Sequence, residues 1–209
     1  MSVHITYTGG TIGMVDSPRG LVPGADLESW LADLLDGTDL GGQGTLTGLD
    51  PLIDSSNAAP GSWQQIIEDL RTHHADRPAQ GYVVLHGTDT MAYTSAALSY
   101  ALADFDRPVV ITGSQLPLGV VGSDAAPNVT GALRAATSRR AVGVSLFFGH
   151  HLLAGNRATK TSSWAFQGFT SPNAVPLAVT GAPWQWTRPS EAGTGWPHPK
   201  PYERHDVVV

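Results

Sequence analysis

The sequence predicts an α/β fold: a doubly wound, mostly parallel sheet flanked by helices. Two observations carry this expectation. Residues 82–85, 109–111 and 142–148 are short runs rich in apolar side chains, as in parallel strands covered on both faces. Between them, 91–103 and 127–137 are Ala-rich segments of helical length, and strand, helix and strand at this spacing make right-handed βαβ units.

The elements follow in order. Val3-His4-Ile5-Thr6-Tyr7 reads as a short strand stopped by Thr8-Gly9-Gly10. A loop rich in Gly, Pro and Asp is expected up to about residue 25. Asp26 is placed to cap a helix running to residue 35, with Leu27, Trp30, Leu31, Leu34 and Leu35 on one face. Glycines from 37 to 44 interrupt the chain, and 45–53 is expected as a strand broken near Pro51. Ser62 is expected to cap an amphipathic helix through Trp63, Ile66, Ile67 and Leu70. The regular strand and helix segments come next. From residue 181 the chain is rich in Pro and Trp and loses its periodicity. The expected organisation is one α/β domain over 1–180, then a linker over 181–209 leading into a further domain. Val207-Val208-Val209 would begin a strand of that domain.

Composition narrows the function classes. The 209 residues contain 12 basic and 18 acidic side chains, a formal charge of −6, which argues against nucleic-acid binding. No run is long and apolar enough for a membrane span, and the first residues lack the basic start of a secretory signal. There is no Cys, which removes disulfides and thiolate metal sites. His73-His74 and His150-His151 lack a convincing ligand set, so no metal is expected.

Three segments fall where ligands bind in such sheets, beyond the carboxyl ends of the strands. The first is Thr8-Gly9-Gly10-Thr11-Ile12-Gly13. Paired glycines allow close backbone approach, although a bare TGGT is more often only a tight turn. It is not a dinucleotide fingerprint, because the G-x-G-x-x-G spacing is absent. The second is His86-Gly87-Thr88-Asp89-Thr90-Met91, opening the first Ala-rich helix. Thr88 or Asp89 could simply cap that helix, or the group could hold an amino-acid zwitterion with Asp89 taking the ammonium. His86 reads as structural. The third is Gly155-Asn156-Arg157-Ala158-Thr159-Lys160. A lysine in this uncharged neighbourhood could tune a nearby hydroxyl, although a surface lysine is the commoner outcome.

Tyr7-Thr8-Gly9-Gly10-Thr11-Ile12-Gly13-Met14 and Leu85-His86-Gly87-Thr88-Asp89-Thr90-Met91-Ala92-Tyr93-Thr94 resemble the two signature motifs of bacterial L-asparaginases, closest to the cytoplasmic type I branch. Asp54-Ser55-Ser56, Thr112-Gly113-Ser114-Gln115-Leu116-Pro117 and the Lys160 segment match that branch in order and spacing. The resemblance covers about residues 3–180 and implies hydrolysis of the L-asparagine side-chain amide to aspartate and ammonia. It makes Thr11 the nucleophile and assigns Thr88, Lys160 and Asp89 to a hydroxyl–lysine–carboxylate set. Asp89 also meets the substrate ammonium. Asp54, Ser55 and Ser56 hold the α-amino-acid end, and Ser114 offers a main-chain contact to the carboxamide. It further implies a cytoplasmic location, no need for a cofactor, and a homo-oligomer, dimer or tetramer.

Two departures stand beside the resemblance. The family's mobile loop usually carries a tyrosine that helps activate the nucleophile, and Leu21 aligns with it. The family also has a C-terminal domain, which this chain is expected to lack. The alternatives are a glutaminase or related amidase, an amidotransferase subunit acting on charged tRNA, or a non-catalytic aspartate or asparagine binder. Trp184, Trp186, Trp196 and the valine triplet are expected to find no burial site in a lone domain, which also favours self-association.

Overall fold

The computed structural model describes residues 2–18 and 20–187. The strands are β1 (Val3–Tyr7), β2 (Met14–Ser17), β3 (Gly20–Pro23), β4 (Gly44–Gly48), β5 (Gly81–Leu85), β6 (Val109–Thr112), β7 (Val144–Phe148), β8 (His151–Ala154), β9 (Thr159–Lys160), β10 (Phe169–Thr170), β11 (Ala178–Val179) and β12 (Gln185–Trp186). The helices are α1 (Leu27–Leu35), α2 (Pro60–Asp76), α3 (Met91–Ala101) and α4 (Ala125–Thr137).

One sheet runs in the order β12-β11-β8-β7-β6-β5-β1-β4. Strands β4, β1, β5, β6 and β7 pair in parallel, and β8, β11 and β12 are each antiparallel to their neighbours. Among the parallel strands the chain starts at β1, steps to β4 on one side, then returns to β5 on the other. This reversal between β1 and β5 is a topological switch point, where open α/β sheets leave a crevice for ligands. The expected fold class is what the structure shows.

Side-chain alternation divides the core into two layers. Val3, Ile5, Tyr7, Val83, Leu85 and Val110 pack on one face with Leu27, Leu31 and Leu35 of α1 and Val129 and Leu133 of α4. Tyr82, Val84, Val109, Ile111, Leu146 and Phe148 pack on the other with Ile66, Ile67 and Leu70 of α2 and Leu98 of α3. The second layer has a polar seam, because the β1 residues turned toward α2 are His4 and Thr6, both buried.

Several local expectations change. The segment after Gly13, read as loop, is a hairpin of β2 on β3, from Met14 opposite Pro23 to Ser17 opposite Gly20. Its strands are largely exposed, so cross-strand pairing defines them without an apolar alternation. α2 starts at Pro60, whose fixed φ and missing N–H suit a first helical position. Ser62 lies inside that helix and accepts a hydrogen bond from the Ala59 amide at 3.2 Å. The strand expected over 45–53 ends at Gly48. Strand β8 follows β7 after a two-residue turn, and β11 and β12 are two residues each, so the apolar pattern does not separate them from loop.

Trp184 and Trp186 do find a place to pack. Trp184 stacks on Phe147 at 5.7 Å and on Trp186 at 5.9 Å between ring centroids, and both rest against the α1/α4 layer. Trp196 and Val207-Val208-Val209 lie outside the described residues. No helix among the described residues is long and apolar enough to cross a membrane.

Candidate active site

Thr11 opens a short 3-10 turn, Thr11–Gly13, directly after β1, and Thr88 follows the neighbouring strand β5. Both therefore emerge at the switch point. The two connections touch through their glycines. Gly9 and Gly10 have positive φ of 122° and 97°, which side-chain-bearing residues rarely adopt. A Cβ on Gly10 would lie 2.5 Å from the Gly87 backbone, so only glycine permits this approach. A Cβ on Gly87 would in turn collide with the Ser55 side chain.

Hydrogen bonds knit the remaining segments to this point. The Ile53 amide donates to the Thr8 carbonyl at 2.6 Å, and Thr90 Oγ1 donates to the Ser55 carbonyl at 2.8 Å. The Leu118 amide donates to the Ile12 carbonyl at 3.2 Å, tying the loop after β6 to the Thr11 turn. That loop is organised by Asp124, a buried carboxylate that accepts from the Gln115 and Leu116 amides and from Asn128 Nδ2. The sequence reading missed Asp124. Its only signal was its position at the head of α4, where an aspartate is ordinarily a helix cap.

Lys160 comes from β9. The 3-10 turn before it, Gly155–Arg157, is pinned to α3 where Ser95 Oγ donates to the Gly155 carbonyl at 2.8 Å. Lys160 Nζ then lies 2.9 Å from Thr88 Oγ1 and 3.0 Å from Asp89 Oδ1. Thr88 is buried, the Lys160 side chain is 19% exposed and that of Asp89 is 60% exposed. The ammonium thus bridges a sheltered hydroxyl and a carboxylate open to solvent. A hydroxyl held this way accepts from the lysine through one lone pair, leaving its own proton and its second lone pair directed elsewhere. The exposed carboxylate keeps room for a second cation.

The other candidates are placed less directly. Asp54 binds its own neighbours: Oδ1 accepts from the Ser56 amide at 3.0 Å and hydroxyl at 2.8 Å, and Oδ2 accepts from Asn57 Nδ2 at 2.7 Å. The Ser56 hydroxyl and amide hold its carboxyl below the usual range. Asp54 and Ser56 are exposed, whereas Ser55 is buried against Gly87. Ser114 Oγ donates to the Leu116 carbonyl at 2.5 Å, so its proton is committed within its own loop. His86 is buried, with Nδ1 2.7 Å from the Gly87 carbonyl, and does not take part. Of the two tyrosines near the motifs, Tyr93 is exposed on α3. The Tyr7 hydroxyl is buried against Gly13, and burial raises its pKa, which makes it a poor proton donor or acceptor at neutral pH. Leu21 sits on β3, exposed.

Comparison with known proteins adds to this geometry. A family model described as Asparaginase, N-terminal, matches residues 2–191. L-asparaginase 1 of Escherichia coli (strain K12) is 42% identical over 186 residues, covering 86% of this chain and 53% of that protein. The 60 kDa lysophospholipase of Mus musculus is 38% identical over 198 residues, covering 84% of this chain and 35% of that protein. The crystal structure of L-asparaginase I from Vibrio cholerae superposes with a TM-score of 0.81 at 36% identity, covering 92% of this chain and 57% of that one. The chain spans about half the length of the first of these curated relatives, and less of the second.

Proposed function

This chain belongs to the asparaginase family, and on that premise we propose that it hydrolyses the side-chain amide of L-asparagine to aspartate and ammonia. Thr11 Oγ1 attacks the carboxamide carbon, and its proton is relayed through the Thr88 hydroxyl, held in place by Lys160 and Asp89, to the departing nitrogen. The C–N bond then breaks, the nitrogen leaves as ammonia, and water cleaves the resulting ester. Asp89 takes the substrate ammonium with its exposed oxygen, while Asp54, Ser55 and Ser56 receive the α-amino-acid end and the Ser114 main chain meets the carboxamide. The observation that carries this reading is the contact of one lysine with both Thr88 and Asp89 beside the Thr11 turn. A threonine hydroxyl is a weak nucleophile until a neighbouring group takes its proton, and this is a sheltered place to arrange that.

The test is ammonia release from L-asparagine by the chain and by Thr11→Val, which keeps the shape and removes the hydroxyl. Thr11→Val is expected to lower kcat by at least about a hundredfold, the usual scale for losing one participant in such chemistry. Substrate binding should survive. Equal turnover would exclude Thr11 as the nucleophile. One observation favours a second reading: Leu21, where the resemblance expects a tyrosine, is a side chain that transfers no proton. Asparagine that raises the melting temperature without releasing ammonia from the unmodified chain would identify a binder. The cytoplasmic location and the homo-oligomer implied by the type I resemblance belong to this same proposal.

A further inference from the structure

The polar seam beneath α2 calls for a separate explanation. His4 is 1% exposed, in a layer whose other strand residues are almost all apolar. Buried polar groups are costly unless fully satisfied. The partners of His4 are loose: Nδ1 lies 3.3 Å from Thr45 Oγ1, Nε2 lies 3.3 Å from Thr47 Oγ1, and Asp69 Oδ2 is 3.6 Å from Nε2. Asp69 and His73 stand four residues apart on α2, hence on one helix face, and both are turned toward β1. The His73 ring stacks on the His4 ring at 3.4 Å, and no side-chain hydrogen bond engages it among the described residues. One ligand atom from each of His4, Asp69 and His73 lies within 4.8 Å of the others.

We propose that His4, Asp69 and His73 form a binding site for a zinc-class divalent transition-metal ion, joining α2 to β1 at the strand end opposite the candidate active site. Two imidazoles and one carboxylate suit zinc and its neighbours better than magnesium or calcium, which take oxygen. Ligand bonds of about 2.1 Å in a tetrahedron put donor atoms about 3.4 Å apart. The His4–Asp69 separation of 3.6 Å already meets that spacing. His73 must turn its ring, because two stacked imidazoles aim their lone pairs side by side instead of at one point. It is only partly buried, so it has room to do so. Supporting groups are in place. Thr6 Oγ1 donates to Asp69 Oδ2 at 2.6 Å and steadies the carboxylate, and Thr45 can hold the His4 Nδ1–H so that Nε2 offers its lone pair. Three protein ligands leave a fourth position of the tetrahedron for water.

The proposal does not rest on the asparaginase reading. It is tested on the full chain by equilibrium dialysis against zinc chloride and by the visible absorption of added cobalt(II). One equivalent should bind saturably, with the intense absorption of a four-coordinate cobalt site, and should raise the melting temperature. His73→Ala and Asp69→Asn should each lower affinity at least about tenfold and abolish the thermal shift. Both residues are partly exposed, so the variants should fold, whereas replacing His4 would disturb the core. The double variant His150→Ala, His151→Ala should bind as the unmodified chain does. No saturable binding, or binding unchanged in His73→Ala, overturns the proposal.

Discussion

His86 shows how neighbours set one side chain's protonation. Nδ1 faces the Gly87 carbonyl at 2.7 Å and so carries the hydrogen, while Nε2 lies 3.1 Å from Thr94 Oγ1. Trp63 Nε1 donates to that same hydroxyl at 3.0 Å, so Thr94 directs its own proton to His86. The ring is held neutral. Burial lowers its pKa below the ordinary 6.5, against the weaker opposing pull of the Gly87 carbonyl. Near pH 6 the unfolded chain therefore binds more protons at this site than the native one, and stability must rise with pH. The contribution is complete above about pH 6.5 and is lost as the pH falls below it. Thermal unfolding at pH values from about 7.5 down to about 5.5 should show a falling melting temperature. His86→Asn, although less stable throughout, should show a shallower fall. Equal slopes would mean that His86 does not titrate on unfolding. Thr11, Thr88, Asp89 and Lys160 stand out in the sequence because their motifs are contiguous. Asp124 does not, because an aspartate at the head of a helix reads as an ordinary cap, whether or not it also gathers the loop before it.

At the scale of elements, α4 and α2 make opposite use of glycine. Gly131 of α4 lies on the Phe147 ring of β7, and a Cβ there would overlap that buried ring. Alanine would gain about 1 kcal/mol of helix propensity. Overpacking a rigid core costs about 1–3 kcal/mol. The clash is severe enough that packing should win. Gly61, in the first turn of α2, has nothing within 4 Å of the same position. There only the propensity term acts. Urea unfolding should find Gly131→Ala destabilised by about 1–2 kcal/mol and Gly61→Ala stabilised by about 0.5–1 kcal/mol. A stabilised Gly131→Ala would show that the helix shifts away from β7 at little cost. The sequence marks α4 as helical through its alanines, but helix propensity alone reads Gly131 as a weakness. The close approach to β7 makes it a requirement.

For the whole molecule, apolar exposure is the informative feature. The loop between β9 and β10, which follows Lys160, leaves Trp164 83% exposed and Phe166 49% exposed. Large apolar side chains grouped in this way favour association, and burying one is worth about 1.5–3 kcal/mol. Light scattering should find the chain above monomer mass, and Trp164→Ser with Phe166→Ser should lower that mass. A monomer at all accessible concentrations would overturn this expectation. Trp184 and Trp186, by contrast, are packed against Phe147 within the chain. The difference between these two tryptophan groups is tertiary, since both lie in aperiodic segments. What the sequence determined by itself is local or repetitive: the strand and helix alternation, the Asp26 cap and the contiguous threonine motifs. Each depends on neighbours a few residues away, and that information is written along the chain. Only the tertiary structure decided that Gly10 meets Gly87, that Lys160 reaches Thr88 across 72 positions, and that His4 faces Asp69 and His73. Those pairings depend on strand order and helix placement, which are selected by burial of the whole apolar surface and not by any one segment.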